Sequence, residues 1–239
     1  MIVDAGSPVA HPSGMTDVVA NAWRGLAQFL VALALCLMLP AWSLRYREAW
    51  VYVVVFGSCC VAITLYLQRH DLALLQRRLA AGPAAEREPR QQVIQLLASV
   101  AFLALFVLSA LDHRFRWTTL PLATVIAGEA LVMLGFLVIF FTFRENSYAA
   151  GNITTAEGQH VVSSGPYAIV RHPMYAGALI MLLGTPLALG SLWGLVAFGA
   201  LVVVIVLRLL DEERLLVRDL GGYEAYRGQV RYRLVPFVW

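Results

Sequence analysis

Four nearly unbroken apolar runs, at residues 20–42, 50–67, 93–111 and 120–143, dominate the first 143 residues of the chain. Each comes close to the roughly 20 residues that an α-helix needs to cross a hydrocarbon core of about 30 Å. A further apolar stretch runs from Pro173 to Leu210, too long for one crossing. The Gly/Thr/Pro and Gly/Ser punctuation between Gly184 and Ser191 breaks it into a helical hairpin. Six spans are therefore expected, packed as an all-α polytopic membrane bundle whose last two helices form a tight hairpin. Composition agrees: 60% of the 239 residues are hydrophobic, 14% are charged, and the mean hydropathy is +0.72. A soluble domain carries about 25% charged residues, so a soluble enzyme, a disordered chain and a disulfide scaffold are all excluded.

Three regions follow from this layout: a polar, turn-rich tail over 1–19, a four-span region over 20–143, and a region over 144–239 with the hairpin and a polar end. The segment 80–92, rich in Ala, Pro and mixed charge, reads as a solvated connector. All 18 basic residues are arginine, a pattern that fits an arginine-rich codon usage and a bacterial source. With the amino terminus placed in the cytoplasm, four of them (Arg45, Arg47, Arg114 and Arg116) fall outside and the other fourteen inside. The positive-inside rule thus expects both termini, and the polar stretches on either side of the hairpin, at the cytoplasmic face of an inner membrane. Cys36, Cys59 and Cys60 lie in apolar runs and read as packing residues, with no disulfide or zinc site implied. Nothing suggests nucleic acid as a partner.

Two polar clusters could carry chemistry. The first, Gly158-Gln-His-Val-Val-Ser-Ser-Gly-Pro-Tyr167 continuing to Arg171-His-Pro-Met-Tyr175, ends where an apolar helix starts. Proline suits the first helical position because its missing N–H would find no partner there. The amides and dipole of that first turn form a site for a carboxylate or phosphate. Arg171 and His172 also fit a plainer role as markers of a span's water boundary. The second cluster, Arg208-Leu-Leu-Asp-Glu212-Glu-Arg214, begins inside an aliphatic run. Arg208 and Glu212 share a helix face at a spacing of four, and an ionisable group at that depth points to an interior site or a cavity. A boundary salt bridge is the alternative.

Taken in order, Gly165-Pro-Tyr167, Arg171-His-Pro-Met-Tyr-Ala-Gly177, Arg208…Glu212-Glu213, Gly221, Tyr223, Tyr226, Val230 and Pro236 resemble the isoprenylcysteine carboxyl methyltransferase family. The resemblance covers the last hundred residues. It implies a cytoplasm-facing pocket for S-adenosyl-L-methionine beside the hairpin, and a lipidic or isoprenoid acceptor entering from the bilayer. By position, Gln159, His160, Val161, Val162, Tyr167, His172, Pro173, Met174, Tyr175 and Glu212 would contact the cofactor. Arg208 would face the acceptor, and Arg208 and Glu212 would be the catalytic pair. The chain departs from the family in having Gln159 where a histidine is common, and in a shorter spacing before Tyr223. The implied reaction is methylation of a carboxylate. Two alternatives are methylation of a phospholipid amine and an NADPH-dependent reduction, since membrane sterol reductases share the Arg-His-Pro-x-Tyr hairpin.

Overall fold

A computed structural model describes residues 12–79, 89–149 and 160–239. Among these, eight α-helices follow one another: α1 (Pro12–Ala41), α2 (Arg47–His70), α3 (Leu72–Leu79), α4 (Pro89–Phe115), α5 (Leu122–Glu145), α6 (Pro173–Ala188), α7 (Gly194–Asp219) and α8 (Tyr223–Gln229). Five of them, α1, α2, α4, α5 and α7, are long and apolar enough to cross a membrane. Large apolar side chains such as Val31, Val54, Val100, Ile126 and Val196 point outward along them, as lipid-facing positions do. The chain is a polytopic helical membrane bundle.

The sixth expected span is a shorter element. At 16 residues and 1.5 Å per residue, α6 is about 24 Å long, less than the hydrocarbon thickness. Pro173 fixes its start. At the other end Pro186 sits in the last turn, and Gly190 adopts φ +71°, the left-handed conformation that suits a residue without Cβ. The turn therefore comes after Ala188, later than Gly184.

Two other expectations change. Helix α1 begins at Pro12, so part of the expected N-terminal tail is helical, with Pro12 in the first-turn position that proline tolerates; residues 1–11 lie outside the described residues. The expected connector over 80–92 gives up its end to α4, which starts at Pro89, and its residues 80–88 lie outside the described residues; ahead of it the amphipathic α3 follows directly on α2. Asp71 separates these helices and caps the second, its carboxylate accepting the Leu74 N–H at 2.9 Å.

Helices α5 and α6 pack closest because glycines meet across the interface. A Cβ on Gly135 would stand 2.5 Å from the Gly177 carbonyl oxygen, and one on Gly184 would stand 2.6 Å from that of Gly128. Seven-residue spacing on both helices brings backbone against backbone over two turns, the small-residue packing that apolar solvent favours. A core of Tyr46, Tyr52, Phe56, Phe106, Phe136 and Leu182 joins α2, α4, α5 and α6.

The helix ends sort into two poles. At one, the Tyr46 hydroxyl donates to the Leu189 carbonyl at 2.6 Å, and the buried Asp112 accepts from the Thr118 N–H (2.8 Å), the Thr118 hydroxyl (2.6 Å) and the Ser191 hydroxyl (2.6 Å). This ties the end of α4 to the α6–α7 turn. The start of α1, the end of α2, α3, the start of α4, the end of α5 and both polar clusters gather at the other pole, where Trp23 donates to Gln68 at 3.0 Å.

Candidate active site

The chain leaves α5 at Asn146, whose side-chain amide donates to the Tyr167 hydroxyl at 2.9 Å. Gly165 opens a 3-10 turn (Gly165–Ala168) with φ +55°, and Ser164 donates to Glu145 beside it. That turn delivers Arg171 and His172 to the start of α6. Both are buried, at 7% and 5% exposure, which removes the water-boundary reading.

Arg171 organises the polar end of the chain. Its guanidinium donates to Glu213 Oε1 at 2.7 Å and to the carbonyls of Val230 and Arg231 at 2.9 Å each. Arg233 donates to Glu213 Oε2 at 2.8 Å, and His172 Nε2 lies 3.3 Å from Oε1. The backbone N–H groups of Arg171 and His172 bond the carbonyls of Tyr232 and Arg233. One buried carboxylate therefore receives two guanidiniums, the arrangement in which charge-assisted bonds offset desolvation. The result is a clasp that holds residues 230–233 against the start of α6.

Inside this clasp lies a cleft with about 800 Å³ of empty space, its open mouth included. His160, Val161, Val162, Tyr167, His172, Pro173, Met174, Tyr175 and Glu212 all line it, together with Tyr223 and Tyr226 of α8. Every position expected at the cofactor is thus gathered in one place except Gln159, which falls outside the described residues. Glu212 is the one acidic residue, and Arg171 the one arginine, among the described residues that line the cleft.

Arg208 stands behind the wall. It donates through Nε to the Tyr175 hydroxyl at 3.1 Å and through an NH group to Gln95 Oε1 at 2.6 Å, while the Tyr175 hydroxyl donates to Glu212 Oε2 at 2.6 Å. The expected pair meets through a tyrosine. Asp211, next on the helix, accepts from Gln91 and lies 3.5 Å from Arg90.

The tyrosines set the polarity of the cleft. Burial, followed by the nearby Glu212 charge, pushes the Tyr167 phenol up to about 12, although the Asn146 hydrogen bond works the other way. Burial likewise raises Tyr223 and Tyr226 above the usual tyrosine range. All three stay neutral donors at ordinary pH. The Tyr226 hydroxyl donates to the Tyr167 carbonyl at 2.7 Å. The Tyr223 hydroxyl, on a residue only 4% exposed, has no partner among the described residues. A buried hydroxyl left so costs about 1–3 kcal/mol, which a ligand's acceptor atom in the cleft would recover.

These features fit S-adenosyl-L-methionine. The start of α6, with its positive dipole end, suits the amino-acid carboxylate. Glu212 suits the cationic portion, and the tyrosines with Val161 and Leu216 offer faces and donors for the nucleoside. Several site residues carry no local signal in the sequence. Gln91 and Gln95 are ordinary residues ahead of an apolar run, and they reach the site only through the α4–α7 pairing. Asn146 matters only because Tyr167 folds back onto it. Tyr223 could have been marked as a site residue from its place in the Gly…Tyr…Tyr pattern.

Residues 123–221 match the family model described as phospholipid methyltransferase. A mouse (Mus musculus) protein, delta(14)-sterol reductase, is 35% identical over 106 residues, covering 41% of this chain. The chain spans 25% of the length of that curated relative. Both likenesses fall well short of the whole molecule.

Proposed function

We propose that this protein transfers a methyl group from S-adenosyl-L-methionine to an amphiphilic acceptor drawn from the bilayer. The observation that carries this reading is the single cleft built from the segments on either side of the α6–α7 hairpin, with Glu212 inside and Arg208 behind Tyr175. When bound, the cofactor supplies a sulfonium methyl carbon, which the acceptor's lone pair attacks while the breaking C–S bond leaves its electrons on sulfur. The chain's own contribution is placement and exclusion of water. His172 and Pro173 would hold one end of the cofactor, Tyr223 would offer it a donor, and Glu212 would balance its positive charge. Tyr175 couples that carboxylate to Arg208 on the acceptor side.

Two acceptor classes fit. A carboxylate, such as an isoprenoid acid, needs no base, and Arg208 would orient it. A phospholipid amine must shed a proton, and Glu212 is the carboxylate in place to take it. The phospholipid methyltransferase match supports the amine, and the resemblance to the isoprenylcysteine enzymes supports the carboxylate. Membranes of cells carrying the protein, fed methyl-labelled methionine, should contain a lipid heavier by one labelled methyl group that is missing from the Glu212→Ala variant. Tandem mass spectrometry then reads whether nitrogen or a carboxyl oxygen carries the label. An unchanged lipid profile contradicts the proposal.

The sterol-reductase relative motivates a second reading, an NADPH-dependent reductase. A dinucleotide phosphate brings several negative charges, whereas Arg171, the one arginine among the described residues that line the cleft itself, is already engaged by Glu213 and two carbonyls. The charge balance therefore supports the methyl donor. In a bacterial inner membrane with the observed pole facing the cytoplasm, the cofactor would enter from the cytosol.

A further inference from the structure

Arg78 belongs to neither segment around the hairpin, yet it ends beside the cleft. It lies in the last turn of α3, where Leu74 and Leu75 face inward. Its NH1 donates to Met174 Sδ at 3.5 Å, and its guanidinium carbon stands 4.9 Å from the centroid of the Phe143 ring. Arg208 approaches from α7 and donates to Tyr175. Guanidiniums from α3 and α7 thus touch consecutive residues of α6, and those residues are also part of the cleft wall.

Arg208 does not reach out to water as a snorkelling arginine would. Arg208 is 7% exposed and Arg78 is half-buried. Burial lowers the Arg78 pKa, the nearby Tyr175 works the other way, and the positive charge of Arg208 adds to the lowering. The two charges sense each other. Guanidiniums remain protonated under such conditions and present planar donor pairs matched to carboxylate or phosphate oxygens. On the cleft side of Tyr175 the charge reverses at Glu212. An acceptor head placed here would have its anionic group between two arginines, a short distance from the methyl donor.

We propose that Arg78 and Arg208 form a two-guanidinium cradle for the anionic group of the acceptor amphiphile, a phosphate or a carboxylate, with Met174 and Tyr175 as the wall between cradle and cofactor. The proposal rests on the methyl-transfer reading and deepens it. It also assigns a task to the four-span region, which supplies Arg78 directly and, through Gln95 of α4, aims Arg208. The aromatic contact with Phe143 then orients Arg78 as well as stabilising it.

The test is amphiphile binding by the full chain in dodecyl maltoside micelles, read by native mass spectrometry with and without S-adenosylhomocysteine. Three probes are compared: dioleoylphosphatidylethanolamine, farnesoic acid, and neutral dioleoylglycerol. The wild type should hold at least one anion-bearing probe over dioleoylglycerol. Arg78→Gln should cut that preference by about tenfold, the scale of one charge-assisted hydrogen bond. Arg78→Lys should restore part of it, and the affinity for S-adenosylhomocysteine should stay the same. Preference for the phospholipid identifies phosphate as the anion, and preference for the acid identifies carboxylate. The cradle is overturned by a wild type that does not discriminate, or by an Arg78→Gln protein that discriminates as well as the wild type. Joint loss of preference and S-adenosylhomocysteine binding would also overturn it, since Arg78 would then only support the wall. If Arg78→Gln does not fold, Arg78→Lys decides, because a point charge in place of a fork must still lower the preference. Failure of the wild type to bind S-adenosylhomocysteine contradicts the methyl-transfer reading and leaves the probe comparison readable.

Discussion

Tyr175 links the two charged residues that the sequence picks out. Its hydroxyl donates to Glu212 and accepts from Arg208, so removing one oxygen atom disconnects Arg208 from Glu212. Tyr175→Phe should lower turnover by about ten- to a hundredfold, the range for hydrogen bonds to charged groups, and should also lower the melting temperature in detergent, because the buried Arg208 Nε loses this hydrogen-bond partner. The Tyr223 hydroxyl, unpartnered within the described residues, leads to a different expectation. Tyr223→Phe should not destabilise the ligand-free protein, because a buried unsatisfied hydroxyl is lost, but it should weaken S-adenosylhomocysteine binding by several-fold in calorimetry. Equal affinity in the two proteins would remove Tyr223 from the site. Tyr167 is tested by pH. Its phenol is raised to about 12, so its contribution to stability is complete below the ordinary tyrosine value of 10.0 and is lost as pH rises through about 12. The ultraviolet titration difference between wild type and Tyr167→Phe should show that late ionisation.

At the scale of elements, two devices hold the site. The α5–α6 glycine contact brings the end of α5 and the start of α6 together, and Asn146, Tyr167 and Tyr175 line one cleft there. Gly135→Val would place methyl groups where 2.5 Å separates a Cβ from backbone. Overpacking of this kind costs about 1–3 kcal/mol or more, and a lower melting temperature with loss of cofactor binding is expected. The second device is the Glu213 clasp. Removing one partner of a buried ion pair typically costs about 3–5 kcal/mol, so Glu213→Ala should release residues 230–233 and expose them to limited proteolysis. The sequence signals these elements unequally. Long apolar runs announce the spans, and Arg-His-Pro announces a helix start. The clasp is invisible there because its acid and its arginines come from three separated segments, and nothing local distinguishes Glu213 from Glu212. Helix α3 is also missed: eight residues beginning with leucines after Asp71 look like the end of a span until the cap is recognised.

For the whole molecule, the sorting of helix ends into two poles determines what can be recognised. Arginine distribution groups the helix ends as the structure does, with both polar clusters at one pole. The glutamines of α4 and Arg78 could not be assigned to the site from their own surroundings, because only the bundle brings α3 and α4 to α7. Local motifs therefore report on the cleft, whose lining comes largely from the two segments around the hairpin. The surroundings of Arg208 are assembled across the whole fold and are legible only in three dimensions. Reporter fusions at the two ends should place both in the cytoplasm, and opposite placement would require a different span count.

The central claim is that the cleft beneath the clasp receives S-adenosyl-L-methionine. Isothermal calorimetry of the purified full chain in detergent, titrated separately with S-adenosylhomocysteine and NADPH, tests it most directly. The expected result is saturable binding of S-adenosylhomocysteine, weakened in Glu212→Ala, with no heat from NADPH. Saturable binding of NADPH and none of S-adenosylhomocysteine would contradict it and make the protein a reductase.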